Sequence, residues 1–375
     1  MLKPQDFYNL LKENNFTFFT GVPDSTLKDL CSYITDNTVP ERNIITPNEG
    51  NAIALASGHY FASKNPGVVY MQNSGQGNAI NPLASLADPL AYSVPMLLII
   101  GWRGEPGKKD EPQHKRQGIV TTGLLNVLGI NYQILPDDIE LAKKSIENAK
   151  EDIEKNKVPH AIIIRKGIFE KYSLQNVKNT NYGVTREDAI KTIVPLISDS
   201  AAIISTTGKT SRELFELRAR DNSGHHRDFL TIGSMGHAST IALGVALEKP
   251  NKEVYCFDGD GAFIMHMGTL TSIGQQQPKN LRHIIFNNFA HDSVGGQPTA
   301  SDVIDIPKIA LACGYKAAFR AQNSEEIVLK LNEMKLIQGP TLLEVCVDKG
   351  ARKDLGRPTK TPLENKGAFM DFLQG

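Results

Sequence analysis

Eight short apolar runs recur along the chain. FTFF, GVVYMQ, MLLIIG and HAIIIR fall in the first half, and AAIIST, EVYCFD, HIIFNN and TLLEVCV in the second, separated by longer stretches of helical periodicity. Apolar runs of this length without polar alternation predict strands buried on both faces, and their alternation with helices predicts an α/β chain of mainly parallel sheets flanked by helices. The opening MLKPQDFYNLLKENN reads as a capped amphipathic helix carrying acids, unlike a signal peptide. Between the two sets lies KYSLQNVKNTNYGV, polar, Asn-rich and aperiodic, which marks a linker at 171–184 between domains at 1–170 and 185–375. The second domain restarts at Thr185, where TRED has the form of a capping box ahead of EDAIKTIVPLI.

The halves echo each other. FTFFTGVPDSTLKDL lies over AIISTTGKTSRELFEL, with Thr207 placed 187 residues beyond Thr20. NEGNAIALASG lies over SMGHASTIALG, and VVYMQNSGQGN over EVYCFDGDGAF, with Val254 placed 185 residues beyond Val69. Three matches in one order at nearly one offset predict two domains of a single fold. Their Gly-rich segments follow strands, where open parallel sheets bind ligands. Two common phosphate-loop readings fail: Gly208-Lys209-Thr210 lacks the earlier glycine, since Ile203 stands there, and Ser74-Gly75-Gln76-Gly77-Asn78 is followed by Ile80 where a dinucleotide fingerprint needs a small residue.

Composition narrows the partners. With 375 residues, 40% hydrophobic and 22% charged, the chain is long enough for two cores and excludes disorder, collagen and coiled coil. Lys plus Arg and Asp plus Glu both number 41, so the formal net charge is +0. No nucleic acid and no membrane partner is expected, and any bound anion must be held by local cations. Cys31, Cys256, Cys313 and Cys346 form no CxxC pair and mostly sit in apolar runs, which predicts reduced, buried thiols in a cytoplasmic protein.

The second-half loop carries the most chemistry. Asp258-Gly259-Asp260-Gly261 closes one strand run and Asn287-Asn288 closes the next, offering hard oxygen ligands for a Mg²⁺ that keeps its other positions for phosphate oxygens. The stretch GDGAFIMHMGTLTSIGQQQPKNLRHIIFNN resembles the cofactor signature of the thiamine diphosphate-dependent decarboxylases and synthases. The resemblance implies two similar thiamine diphosphate-binding domains, pyrimidine-binding first and diphosphate-binding second. It makes Asp260, Asn288 and the carbonyl of Ala290 the Mg²⁺ ligands. Thr207 to Lys209, Ser234, Gly236, Gly261 and Ala262 would line the cofactor, with Met235 the bulky residue beneath it.

In the first half the resemblance makes Glu49 the acid that contacts the aminopyrimidine ring, with Ser74, Gly75 and Asn78 nearby. A carboxyl bonded to the ring nitrogen stabilises the imino form, which then acts as base toward the weakly acidic C2 proton. Without the second-half pattern, Glu49 would read as a first-turn acid complementing a helix dipole. Larger family members carry a middle domain that this chain lacks. Short two-domain members act on 3-phosphonopyruvate or 3-sulfopyruvate, and TGVPDS, GWRGEPGKKDEPQHKRQG, NNFAHDSVGGQPT and GARKDLGRPT resemble the phosphonopyruvate branch. The implied reaction is non-oxidative decarboxylation of a small 2-oxo acid carrying a phosphonate, in a homodimer or larger assembly whose active site lies between subunits. Sulfopyruvate decarboxylation and carboligation are the alternatives.

An anionic substrate needs local cations. Arg103, His114 and Arg116 in the segment after MLLIIG, and Arg357 near the C-terminus, are the candidates for substrate binding, because an arginine fork grips two oxygens at once. Lys108, Lys109 and Lys115 fit a solvated face equally well. Asp24 and His114 are candidates for proton transfer, and Asp24 also suits an N-cap.

Overall fold

All eight apolar runs form strands, and four further strands escape the pattern. The computed structural model describes residues 1–177 and 179–375, so Lys178, inside the expected linker, lies outside the described residues. The chain divides into two units, one comprising Met1–Val177 with Ser293–Gln297, the other running from residue 179 to Asp292 with Pro298–Gly375.

In the first unit, β1 (Phe19–Gly21), β2 (Asn43–Ile45), β3 (Gly67–Gln72), β4 (Met96–Gly101), β5 (Asn131–Ile134) and β6 (His160–Ile164) form one sheet in the order β2-β1-β3-β4-β6-β5. In the second, β7 (Ala202–Ser205), β8 (Asp228–Leu230), β9 (Val254–Gly259), β10 (Leu281–Asn287), β11 (Ala317–Ala321) and β12 (Thr341–Cys346) form another in the order β11-β12-β10-β9-β7-β8. Every pairing between these strands is parallel. Read from the opposite edge and counted from β7, the second order repeats the first strand for strand. The internal repeat is therefore one of topology, with Val69 on β3 and Val254 on β9 in corresponding strands.

Side chains alternate across a strand, and here both faces are covered. Val68 and Tyr70 enter one core of the first sheet, Val69 and Met71 the other. Tyr255 and Phe257 divide from Val254 and Cys256 in the same way. This double burial is why inner strands read as continuous apolar runs. β2, β5, β8 and β11 are the four outermost strands. They carry short or polar-interrupted sequences, NII, NYQI, DFL and AAFRA, because an edge strand is covered less completely.

Local differences have simple causes. The first run enters its strand only at Phe19; Phe16 and Phe18 are buried ahead of it. The N-terminal helix, Pro4–Glu13, is amphipathic but has no side-chain cap, contrary to the sequence expectation. Pro4 fills its first turn, where an N–H would have no partner. Thr185 accepts from the Asp188 N–H and opens the helix Arg186–Ile193. All four cysteines are free, three buried and Cys313 half-buried. Among the described residues no helix is long and apolar enough to cross a membrane.

Candidate active site

In the first unit, chemistry collects at the C-terminal ends of β1, β3 and β4. Asn48 caps the helix Glu49–Ser63 by accepting from the Asn51 N–H at 3.1 Å, which sets Glu49 as its first residue. Glu49 is only 5% exposed, and its carboxylate accepts from Asn78 Nδ2 at 2.7 Å. After β3 the chain makes a tight turn, Asn73–Gly75, and enters the helix Gln76–Pro82, which presents Asn78. Gly75 faces the acid so closely that a Cβ there would lie 2.3 Å from Glu49 Oε1; only glycine leaves the carboxylate its place. Gln72 Nε2 donates to Ser74 Oγ at 2.6 Å on the same turn. Burial pushes the Glu49 carboxyl upward in pKa, with the Asn78 bond opposing. Glu49, Ser74, Gly75 and Asn78 thus share one end of the sheet.

Asp24 follows β1 and is also buried. Its Oδ2 accepts from the N–H groups of Thr26 (2.9 Å) and Leu27 (3.2 Å), so it caps the turn ahead of the helix Lys28–Asn37. It packs against Gly101 at the end of β4, where a Cβ would lie 2.1 Å from that oxygen. Burial raises its pKa to about 6 against these bonds and the charge of Arg103. Arg103 Nη1 donates to Ser25 Oγ at 2.7 Å, and its Nε and Nη2 grip Asp110 at 2.9 and 2.5 Å. The fork expected to meet substrate is therefore engaged by a carboxylate of its own loop. His114 lies on the next helix, half-buried, its pKa lowered to about 4 by burial and then by the Arg103 charge. Arg116, Lys108, Lys109 and Lys115 are exposed. Arg357 lies in the second unit and is exposed.

In the second unit the equivalent strand ends carry a different set. Asp260 begins the short helix after β9 and is 3% exposed. Its Oδ2 lies within hydrogen-bond reach of the hydroxyls of Thr299 (2.5 Å) and Ser301 (2.9 Å), and Ser301 Oγ, with its single hydrogen, is also 3.0 Å from Asn287 Oδ1, tying this helix to the end of β10. Burial raises the Asp260 pKa to about 6 despite those bonds. Asn288 is buried and accepts from the Ala290 N–H at 3.2 Å across a turn in which Phe289 has φ 60°. Thr207 Oγ1 accepts from the Gly233 N–H at 2.9 Å, joining the loop after β7 to the one carrying Ser234, Met235 and Gly236. Gly208, at φ 100°, starts the helix whose first residue, Lys209, pairs with Asp292 at 2.9 Å. Met235 lies beside Gly261, its Cε 3.4 Å from where a Cβ would stand, and Gly236 packs on the carbonyl of Ala262. Behind these loops Asp258 accepts from the Gly259 N–H, and buried His283 meets the Tyr315 hydroxyl at 3.2 Å.

Several of these partners were invisible in the sequence. Asp110, Asp292 and Thr299 fall inside segments noted for their resemblance, but nothing local marked them as partners of Arg103, Lys209 or Asp260, and Ser301 lies just beyond.

Residues 4–123 match the thiamine pyrophosphate enzyme N-terminal TPP binding domain, and residues 206–345 match the C-terminal TPP binding domain. The class is thus that of the thiamine pyrophosphate enzymes. The chain is 34% identical to the phosphonopyruvate decarboxylase of Streptomyces hygroscopicus, over 99% of this chain and 94% of that protein. It is 34% identical to that of Streptomyces viridochromogenes, over 95% and 91%. It belongs to the phosphonopyruvate decarboxylase family. A sulfopyruvate decarboxylase of Methanosarcina acetivorans is similar at 27% identity, over 91% of this chain and 90% of that protein.

Proposed function

We propose that this chain decarboxylates 3-phosphonopyruvate to phosphonoacetaldehyde and carbon dioxide, using thiamine diphosphate and Mg²⁺. Two features support the fit of the cofactor. The space beside Glu49 is one that a Cβ on Gly75 would fill, and the buried Asp260 carboxylate has hydroxyl partners where a cation would neutralise it. Asp260, Asn288 and the carbonyl of Ala290 would hold the metal. Lys209 and the backbone at Gly208 would meet the diphosphate, with Ser234, Met235, Gly236, Gly261 and Ala262 around it.

Thiamine diphosphate, once bound, supplies the electron sink for the pair left when the carboxylate-bearing bond breaks. The protein's own task is to place and move protons. Glu49, its proton affinity raised by burial, suits a carboxyl that shares a proton with a ring nitrogen. Asp24 keeps its proton to about pH 6 and, with His114, is a candidate to protonate the carbon that loses carbon dioxide. Arg103 would meet the substrate anion, with Arg116 and the neighbouring lysines attracting it at longer range. Function needs both units, and the reading includes self-association with residues of two chains completing each site.

The observation that carries the reading is Glu49, a buried carboxylate held against a glycine and an asparagine. Its test is carbon dioxide release in the presence of thiamine diphosphate and Mg²⁺ from phosphonopyruvate, sulfopyruvate and pyruvate at equal concentration. Preference for phosphonopyruvate is expected. Preference for sulfopyruvate would move the assignment to the second reading, which the Methanosarcina relative favours, and release from pyruvate alone would overturn both.

A further inference from the structure

Asp110 is one of the most completely engaged carboxylates in the first unit. Its Oδ2 accepts from Arg103 Nε at 2.9 Å and from the Gly104 N–H at 2.8 Å; its Oδ1 accepts from Arg103 Nη2 at 2.5 Å and from the Glu111 N–H at 2.8 Å. Both oxygens are thereby filled, so the carboxylate is fixed rather than mobile. Burial alone would raise its pKa, but the Arg103 bonds, the Gly104 N–H and nearby positive charge hold it down to about 2, so it stays ionised.

What Asp110 fixes is the arginine. The Arg103 backbone is already pinned, its N–H donating to Asn73 Oδ1 at 3.1 Å and its carbonyl accepting from Asn73 Nδ2 at 2.8 Å. Asn73 starts the same turn that sets Gly75 against Glu49, so the arginine and the glutamate are placed from one loop. Asp110 then takes the Nε–Nη2 edge, and Nη1 gives one hydrogen to Ser25. One hydrogen remains on each terminal nitrogen, and an oxyanion can accept from them. The pair is not sealed: the Arg103 side chain is 17% exposed and that of Asp110 13%.

We propose that Asp110 is a positioning residue for substrate specificity: by holding one edge of Arg103 it aims the other end, beside Ser25 and Asp24, at the tetrahedral oxyanion on C3 of the 2-oxo acid. This rests on the reaction proposed above and names the part of the site that recognises the phosphonate or sulfonate group. Because the ion pair is neutral overall, recognition depends on the orientation of the guanidinium more than on net charge. Pyruvate, lacking the C3 anion, gains nothing from it.

The experiment compares wild type with Asp110→Asn and Arg103→Lys, in the enzyme loaded with thiamine diphosphate and Mg²⁺. Asparagine keeps one acceptor and the chain shape but turns an N–H toward the fork. Asp110→Asn should raise KM for phosphonopyruvate about tenfold with kcat within about twofold, the size of one weakened charge-assisted bond, and cost less on pyruvate than on phosphonopyruvate. Calorimetry with phosphonoacetate and, in a parallel arm, sulfoacetate should show the same loss and tell which anion the end accepts. The Arg103→Lys/Asp110→Asn double variant should be no worse than Arg103→Lys alone, since both changes act through one guanidinium. Equal loss on pyruvate and phosphonopyruvate, additive losses in the double variant, or an unchanged KM would each overturn the role of Asp110 while wild-type turnover of phosphonopyruvate stands. If wild type turns over neither C3-substituted acid, the reaction assignment falls, and this inference with it. Should Asp110→Asn fail to fold, Arg103→Lys with the two anion probes still decides whether that end binds them.

Discussion

The two sheets share a strand order but exchange their chemistry at matching positions. Laid over one another by the repeat, Glu49 falls on Met235 and Gly75 on Asp260. In the first unit an acid on the helix after the second strand faces a glycine after the third; in the second a methionine takes the acid's place and an acid takes the glycine's. The fold supplies the same strand-end location twice, where backbone N–H groups and helix starts gather. Which side chain stands there decides what each location does. A carboxyl set tightly against a glycine stays in place without a Cβ to displace it. An acid buried among hydroxyls calls for a hard cation.

That contrast can be broken at its strongest point first. Glu49→Gln should keep cofactor and Mg²⁺ binding within a few-fold while activity and deuterium exchange at the cofactor C2 fall by roughly a thousandfold, in the range of a lost acid–base group. Exchange at the wild-type rate would remove Glu49 from its role. Gly75→Ala puts a methyl 2.3 Å from Glu49 Oε1 and should lower activity by about a hundredfold through displacement of the acid. The equivalent change at Gly244, where a Cβ meets nothing within 4 Å, should be silent. If both glycine variants behave alike, the close approach at Gly75 does not matter.

The scaffold should respond differently from the sites. Ile99→Ala on β4 and Ile284→Ala on β10, both fully buried in corresponding strands, should each cost about 2–5 kcal/mol of stability by denaturant unfolding, since each leaves a comparable cavity. A large inequality would show that the two units are unevenly stable despite their shared order.

Asp24 sharpens the comparison from the side of pH. Its folded pKa, raised by burial to about 6 from 3.8, means the folded state holds a proton that the unfolded chain releases between those values. Stability therefore falls as pH rises from about 4 to about 6, by up to about 3 kcal/mol. Asp24→Asn should flatten that fall and be more stable than wild type at pH 7, with little difference at pH 4. Parallel pH–stability curves for the two proteins would rule the explanation out. Last, mixing inactive Glu49→Ala and Asp260→Ala chains should restore part of the activity once subunit exchange is verified; no recovery would argue against sites completed by two chains.

Much of this was readable from local sequence because burial leaves a periodic trace. The eight inner strands, the repeat and the acids Glu49 and Asp260 all announce themselves through apolar runs or glycine-flanked motifs. The edge strands did not, because a strand covered on fewer sides has no apolar run to display. Arg103 was legible as a cation, but nothing local showed that Asp110 holds one edge of its fork.

By itself, then, the sequence determined the class of fold and its duplication and marked the candidate residues for a diphosphate cofactor, since each depends on composition within a few neighbouring positions. The tertiary structure alone decided who meets whom. Asn78 reaches Glu49 from 29 residues away, and Thr299 and Ser301 reach Asp260 from 39 and 41. Such pairings depend on strand order and loop course, which place distant segments side by side, and hydrophobic periodicity records only that a residue is buried, never which neighbour it is buried against.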